Sequence, residues 1–321
     1  MRKLKTIDLF AGVGGIRLGF ESTGMFETVW ANDFEPKCKL TYDLNFNKAP
    51  LTVADITKVS VDDIPDCEFV VGGFPCQAFS VAGYRQGFKD EKGRGNLFFD
   101  VARIIESKQP IGFLLENVKN LKTHDKGNTF KVIEKTLTDL GYHIKAQVLN
   151  SMEYGNVPQN RERIYIVGFK DSEIADRFEF PKPIKLTKDV GSILEKNVDD
   201  KYYYNGKPLY DRIKDDITDK NVAYQWRRQY VRSNKKGVFP TLTANMGMGG
   251  HNVPIIIDDT GIRKLTPREC FRVQGFPDSY RLPTDVGDSA LYKQAGNSVS
   301  VPVIKRIAKQ IGLAITGVND D

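Results

Sequence analysis

In GGFPCQAFS (residues 72–80) an apolar run ends in two glycines, and Pro75 then precedes a lone cysteine, Cys76. Free cysteine is most often a small buried hydrophobe. That is the reading for Cys38, Cys67 and Cys270, which sit in helical or apolar patterns. Cys76 differs, because Pro75 fixes the chain ahead of it and Gly72 and Gly73 keep the approach open. It stands where an internal parallel strand runs out, and open α/β sheets place their sites there. Cys76 is therefore the candidate for thiol chemistry. Glu116 leaves an apolar run in the same way in LLENV, and Arg161 and Arg163 precede a strand in VPQNRERIY. Taken alone, these have ordinary readings as a surface carboxylate and solvated turn arginines.

The elements that must position these groups are legible over the first 170 residues. Strand-like runs at 5–10, 27–33, 68–73, 111–117, 144–150 and 163–169 alternate with helical patterns at 14–24, 36–46, 96–108 and 129–140. That alternation predicts an α/β fold with a doubly wound, mainly parallel sheet. From about 171 the chain becomes charged, rich in tyrosine and proline, and poor in periodicity, which predicts a second, smaller irregular domain. Helical spacing returns at 264–276, with Thr266 as N-cap and Pro267 as first helical residue, and again from about Pro302. The expected division is 1–170 completed by 263–321, with 171–262 separate. The 321 residues carry 47 basic and 41 acidic side chains, and this mild excess permits a nucleic-acid partner without requiring one. Four cysteines without a C-x-x-C pair and three scattered histidines point to no metal and no disulfide framework. With no apolar leader and no run of membrane-spanning length, the expectation is a reduced, cytoplasmic protein.

A ligand turn follows the first strand. DLFAGVGG (8–15) places Phe10, Ala11, Gly12, Gly14 and Gly15 between strand and helix, where glycines admit a ligand to the backbone and the helix N-terminus offers free N–H groups. The G-x-G-x-x-G dinucleotide spacing is not met. Asp33 ends the second strand, where an acid can accept both ribose hydroxyls. Phe34 beside it can lie on an adenine face, and Asp55 and Ile56 can line the ring's edge. A nucleoside-bearing cofactor is expected.

Six segments in order, FAGVGG, GGFPCQAFS, LLENV, PQNRERIY, LTPRECFRVQGFP and YKQAGNSV, resemble the DNA (cytosine-5) methyltransferase family of the bacterial restriction-modification type. The resemblance covers nearly the whole chain outside about 171–240. It implies the S-adenosylmethionine-dependent methyltransferase fold, S-adenosylmethionine as cofactor, and 171–262 as a target-recognition domain. It also implies a cytosine flipped out of duplex DNA, attacked at C6 by Cys76 and methylated at C5. C5 of cytosine is a poor nucleophile, and thiolate addition at C6 turns the ring into an enamine with electron density at C5. By the same resemblance Glu116 meets N3 and the exocyclic amine, and Arg163 holds O2 with Arg161 close by. Pro75, Asn297 and Ser298 fall to the cofactor side.

The resemblance makes residues 80–100 a loop that closes over the extruded base. Gln77, Ser80, Arg85 and Arg94 then face DNA, although Asp90 and Arg94 are spaced more widely than in the common D-x-R-G form. Target selectivity resides in the insert, where QWRRQYVRSNKKG (225–237) has five positive charges, no acid, and Trp226 and Tyr230 interleaved. That suits phosphate and base contacts, with Arg227 and Arg228 as candidates, and equally suits a solvated basic hairpin. In PTLTANMGMGGHN (240–252), Thr241, Asn245, Gly247, Gly249 and Gly250 are expected in the groove, with His251 and Asn252 also able to read base edges. The reading is a monomer acting on double-stranded DNA, beside a cognate restriction endonuclease cutting the same site. A tRNA cytosine-5 methyltransferase and a non-catalytic DNA-binding relative are the competing readings. The glycine-rich insert favours DNA, and the presence of Cys76 and Glu116 opposes an inactive relative.

Overall fold

The computed structural model describes residues 2–75, 97–247 and 252–318. Cys76, Gln77, Ser80, Arg85, Arg94, Gly249, Gly250 and His251 lie outside the described residues. Along the chain, β1 (Leu4–Leu9), α1 (Gly15–Glu21), β2 (Phe26–Asp33), α2 (Pro36–Asn45), β3 (Leu51–Val53) and β4 (Phe69–Gly72) come first. Next come α3 (Leu97–Lys108), β5 (Gly112–Val118), α4 (Asn128–Asp139), β6 (His143–Asn150), α5 (Ser151–Tyr154), β7 (Gln159–Asn160), β8 (Glu162–Phe169) and α6 (Ser172–Arg177). The chain continues with α7 (Tyr210–Ile213), β9 (Tyr224–Trp226), β10 (Val231–Ser233), β11 (Phe239–Pro240), β12 (Ile255–Ile257) and β13 (Ile262–Lys264). It ends with α8 (Pro267–Val273), α9 (Asp288–Asn297) and α10 (Val301–Thr316).

Two compact units emerge. The first comprises Met1–Leu149, Glu162–Pro181 and Ile304–Asp321, and the second Asn150–Arg161 and Lys182–Val303. Packing thus groups 263–303 with the second unit, whereas the sequence reading joined that stretch to the first.

The first unit is built on a seven-stranded sheet in the order β3-β2-β1-β4-β5-β8-β6. From β3 to β5 all pairings are parallel, and β8 runs antiparallel to β5. β4 (FVVG) is buried throughout and β5 (GFLLENV) almost throughout, as expected of central strands with both faces covered. α3 turns Phe98, Val101, Ala102, Ile104 and Ile105 inward, a helical stripe that joins Ile7, Leu9, Val70 and Leu115 in one core. The strand order reverses between β1 and β4, which opens a crevice at their carboxyl ends.

α1 and α10 approach closely at Gly19, where a Cβ would lie 2.5 Å from Cγ2 of Ile304 and 3.0 Å from the Lys305 main-chain nitrogen. Alanine would gain about 1 kcal/mol of helix propensity there. The overlap involves a branched side chain and backbone, and overpacking costs about 1–3 kcal/mol. Gly19→Ala is therefore expected to lower stability, measured as the urea unfolding free energy; an unchanged or raised value would contradict this packing.

In the second unit, β10-β9-β12-β13 form an antiparallel sheet over Ile213, Ile217, Tyr224, Trp226, Ile255 and Ile262. The predicted cap is present: Thr266 and Glu269 form a capping box with Pro267 in the first turn. Glu269 does double duty, since the fully buried Arg263 reaches it with both terminal nitrogens at 2.8 Å.

Candidate active site

The turn after β1 uses the conformational freedom of its glycines. Phe10 (φ 55°), Gly12 (φ 53°) and Gly14 (φ 76°) are all left-handed, a region Phe10 occupies against its preference. Gly14 also has no room for a side chain, because a Cβ would lie 2.3 Å from the Phe46 ring. The turn is pinned from β2: Asp33 Oδ2 accepts from the Gly12 N–H at 2.8 Å, and Oδ1 from the Glu35 N–H at 2.9 Å. Burial raises the Asp33 carboxyl above its ordinary range against these main-chain bonds. Phe34, next in the chain, is 72 % exposed, so a large apolar face stands open beside the acid.

Asp55 is exposed and caps a short turn, accepting from the Thr57 N–H at 3.1 Å and hydroxyl at 2.8 Å; these bonds hold its carboxyl below the ordinary range. Ile56 turns into the core instead, which leaves only its main chain for a ring's edge.

At the other side of the crevice, Glu116 is 8 % exposed at the carboxyl end of β5. The antiparallel register pairs Glu116 with Tyr165 and Val118 with Arg163, so β8 begins where β5 ends. This brings Arg163 Nε to 3.1 Å from Glu116 Oε1, an ion pair without an aligned hydrogen bond. A Cβ on Gly73 would stand 3.2 Å from Glu116 Oε2, so the chain leaving β4 passes close to the same carboxyl. Pro75, the last described residue before Cys76, is exposed.

Arg161 has different partners. It is 2 % exposed, and its terminal nitrogens donate to the carbonyls of Leu242 (2.8 Å), Ser298 (2.6 Å) and Gly296 (3.4 Å). These bonds brace the second unit. Asn297 is exposed at the last residue of α9, while Ser298 is buried with its carbonyl committed to Arg161.

The basic segment of the second unit forms the turn between β9 and β10, closed by the Arg227 N–H donating to the Tyr230 carbonyl at 2.9 Å. Arg227, Arg228 and Tyr230 are exposed, with Arg228 left-handed at φ 68°. Trp226 is not available to a ligand: it lies in the core with Arg212 over its ring at 4.9 Å. Thr241 donates to the Asn160 carbonyl at 2.6 Å, and Asn245 is exposed. Gly247 has a packing reason of its own, since a Cβ would meet Tyr292 at 2.9 Å and the Ser289 Cα at 3.1 Å.

Two residues that sequence reasoning passed over lie beside the candidate residues of the first unit. Asn117 is 2 % exposed and donates from Nδ2 to the Phe74 carbonyl at 2.9 Å. Asp8 is fully buried with neither carboxyl oxygen hydrogen-bonded, and burial pushes its pKa up to about 8. An N immediately after the candidate acid, and a D inside an apolar strand, were the available signals.

Comparison with known proteins identifies the family. The C-5 cytosine-specific DNA methylase family matches residues 4–313. The chain is 55 % identical over 313 residues to the type II methyltransferase M.Bsp6I of Bacillus sp. (strain RFL6), covering 96 % of this chain and 98 % of the relative. It is 39 % identical over 327 residues to the type II methyltransferase M.HhaI of Haemophilus parahaemolyticus, covering 97 % and 95 %. In fold it is similar to the S. pombe Dnmt2 methyltransferase, with a TM-score of 0.73 at 20 % identity, covering 99 % of this chain and all of that one. With the Glu116–Arg163 pair and the glycine turn at the carboxyl ends of the strands, the chain belongs to the C-5 cytosine-specific DNA methylase family and is a DNA (cytosine-5)-methyltransferase.

Proposed function

We propose that this enzyme methylates C5 of a cytosine flipped out of a specific duplex sequence, using a covalent bond between Cys76 and C6 and S-adenosylmethionine as methyl donor. The observation that carries the reading is the ion pair of Glu116 and Arg163 at the strand end beside the chain leading to Cys76. Stacked cytosine shields C6, so extrusion is required, at a cost of a few kcal/mol.

Cys76 Sγ, as thiolate, forms the bond to C6, and the electron pair of the C5–C6 double bond is displaced through the ring. Glu116 supplies the proton or hydrogen bond that N3 then needs and accepts from the exocyclic amine. Arg163 donates to O2 and holds the Glu116 carboxyl in place. Bound S-adenosylmethionine would supply an electrophilic methyl: the electron pair at C5 would form the C5–CH3 bond, and the pair of the broken S–CH3 bond would stay on sulfur. Once C5 carries the methyl, a base takes its proton, the C5–C6 double bond re-forms, and Sγ leaves as thiolate. The chain's residues fit this cofactor. Phe34 offers an open apolar face for the adenine, Asp33 an acceptor for the ribose, and the left-handed turn at Gly12 and Gly14 a side-chain-free approach.

Residues 1–170 and 263–321 would then carry catalysis, and 171–262 target recognition. The β9–β10 turn fits a phosphate-contacting element, with Tyr230 the exposed aromatic among its arginines. Replacing Arg227 or Arg228 by alanine is expected to weaken DNA binding at all sequences and to reduce the salt dependence of log K by about one per arginine, as fluorescence anisotropy would report. An unchanged salt slope would remove the turn from the interface. In the cell the activity would protect host DNA from a cognate endonuclease. Expression in a methylation-deficient host followed by bisulfite sequencing should reveal one methylated cytosine in a fixed motif; DNA without 5-methylcytosine would defeat the reading.

A further inference from the structure

We propose that Asn117 is a positioning residue for the nucleophile: its side-chain amide fixes the peptide that delivers Cys76. The inference rests on the reading of Cys76 given above. β4 and β5 pair in parallel only as far as Gly72 and Leu115. Beyond that pair β5 continues against β8, with Glu116 opposite Tyr165 and Asn117 opposite Ile164. The chain after Gly72 leaves the ladder, so sheet hydrogen bonds no longer hold residues 73–75.

Asn117 takes over at that point. Its Nδ2 donates to the Phe74 carbonyl at 2.9 Å, while its Oδ1 accepts from the Val118 N–H at 2.8 Å. The amide is buried, so both bonds replace water and neither can be lost cheaply. Phe74 is held at its other end too, since its ring is 3 % exposed and packs on Phe98 with centroids 5.7 Å apart. A pinned ring and a pinned carbonyl together set ψ of Phe74 and the plane of the following peptide. The ring of Pro75 then fixes its own φ near −65°. The described chain leading to Cys76 is thus held as far as the ring of Pro75. Glu116 and Asn117 are neighbours on one strand, so the same two residues register the acid and the nucleophile to each other.

Asn117→Asp keeps an oxygen for the Val118 N–H but turns an acceptor toward the Phe74 carbonyl; Asn117→Ala removes both bonds. Each variant would be assayed beside the parent for kcat and KM on cognate duplex DNA, cofactor Kd, Tm, and the rate of covalent adduct formation on 5-fluorocytosine DNA. A misplacement of about 1 Å can cost about 100-fold in rate. The expected result is a 10- to 100-fold fall, by that order of magnitude, in kcat and in adduct rate, with KM and cofactor Kd within about twofold of the parent. Rates close to the parent's in a folded variant would overturn the proposal. So would affinities and Tm falling in step with kcat, or failure of both variants to fold, because either assigns Asn117 a structural role only. A parent that methylates DNA without an adduct at Cys76 would instead sink the underlying reading, and the positioning role with it.

Discussion

A Cys76→Ala protein is expected to transfer no measurable methyl group to DNA while binding S-adenosylmethionine within about twofold of the parent's affinity. Removing a covalent nucleophile costs on the order of 10⁶-fold in the best-studied hydrolase, and the loss here is expected to exceed about 10⁴-fold. Without the thiolate, C5 keeps the weak nucleophilicity of an aromatic carbon, and no other group adds to C6. The remaining cysteines cannot deputise. Cys38 and Cys270 are buried, and burial pushes the Cys67 thiol up to about 12 and the Cys270 thiol well above its ordinary value. Cofactor affinity should survive because the turn after β1, Asp33 and Phe34 are untouched. Incorporation of labelled methyl into cognate DNA, with titration calorimetry for the cofactor, makes the comparison; turnover retained within about tenfold would refute the assignment.

Asp8→Asn is expected to abolish a loss of stability that the parent suffers as pH rises through the neutral range. Asp8 lies fully buried in β1 and neither oxygen is hydrogen-bonded. Burial lifts its pKa from 3.8 to about 8; the nearby Arg17 charge opposes the rise, and Asp33 and Glu21 add to it. The Arg17 guanidinium is engaged elsewhere, with Glu21 at 2.9 Å, Tyr42 at 3.0 Å, and the Lys48 and Ala49 carbonyls. A carboxyl whose folded pKa exceeds its unfolded value binds an extra proton in the folded chain between the two. Its favourable contribution is therefore complete below about pH 4 and is lost as pH rises toward 8. Relative to Asp8→Asn, the cofactor-free parent should lose about 1.4 kcal/mol per pH unit between pH 5 and 7. Urea unfolding at several pH values measures this, and parallel stability curves for the two proteins would show that Asp8 is ionised in the folded state.

The central strands β4 and β5 were legible because they are buried on both faces and read as apolar runs that give way to glycine or to a carboxyl. The site was legible only in part. Glu116 and Arg163 both lie at strand boundaries in the sequence, but their meeting depends on β8 running antiparallel to β5, which no local pattern encodes. The strands β9, β10, β12 and β13 have three residues each, too few for alternation to register, so the region read as irregular. α9 escaped because its inward face includes Gln294, Ala295 and Gly296, where the glycine admits the Thr243 carbonyl to within 2.1 Å of a virtual Cβ. Trp226 and Gly247 look like groove residues in composition, yet packing accounts for both. Asp8 and Asn117 stayed hidden for the opposite reason: polar residues in strands gain meaning only once their burial and partners are known.

Peptide mapping of the enzyme after incubation with cognate duplex DNA containing 5-fluorocytosine and S-adenosylmethionine tests the central claim most directly. Fluorine replaces the C5 proton that must leave before Sγ can be expelled, so addition and methyl transfer proceed but release does not. The account predicts one nucleotide per enzyme, attached through the peptide that contains Cys76 and dependent on the cofactor. An adduct on another peptide, or active enzyme with no adduct, would contradict it.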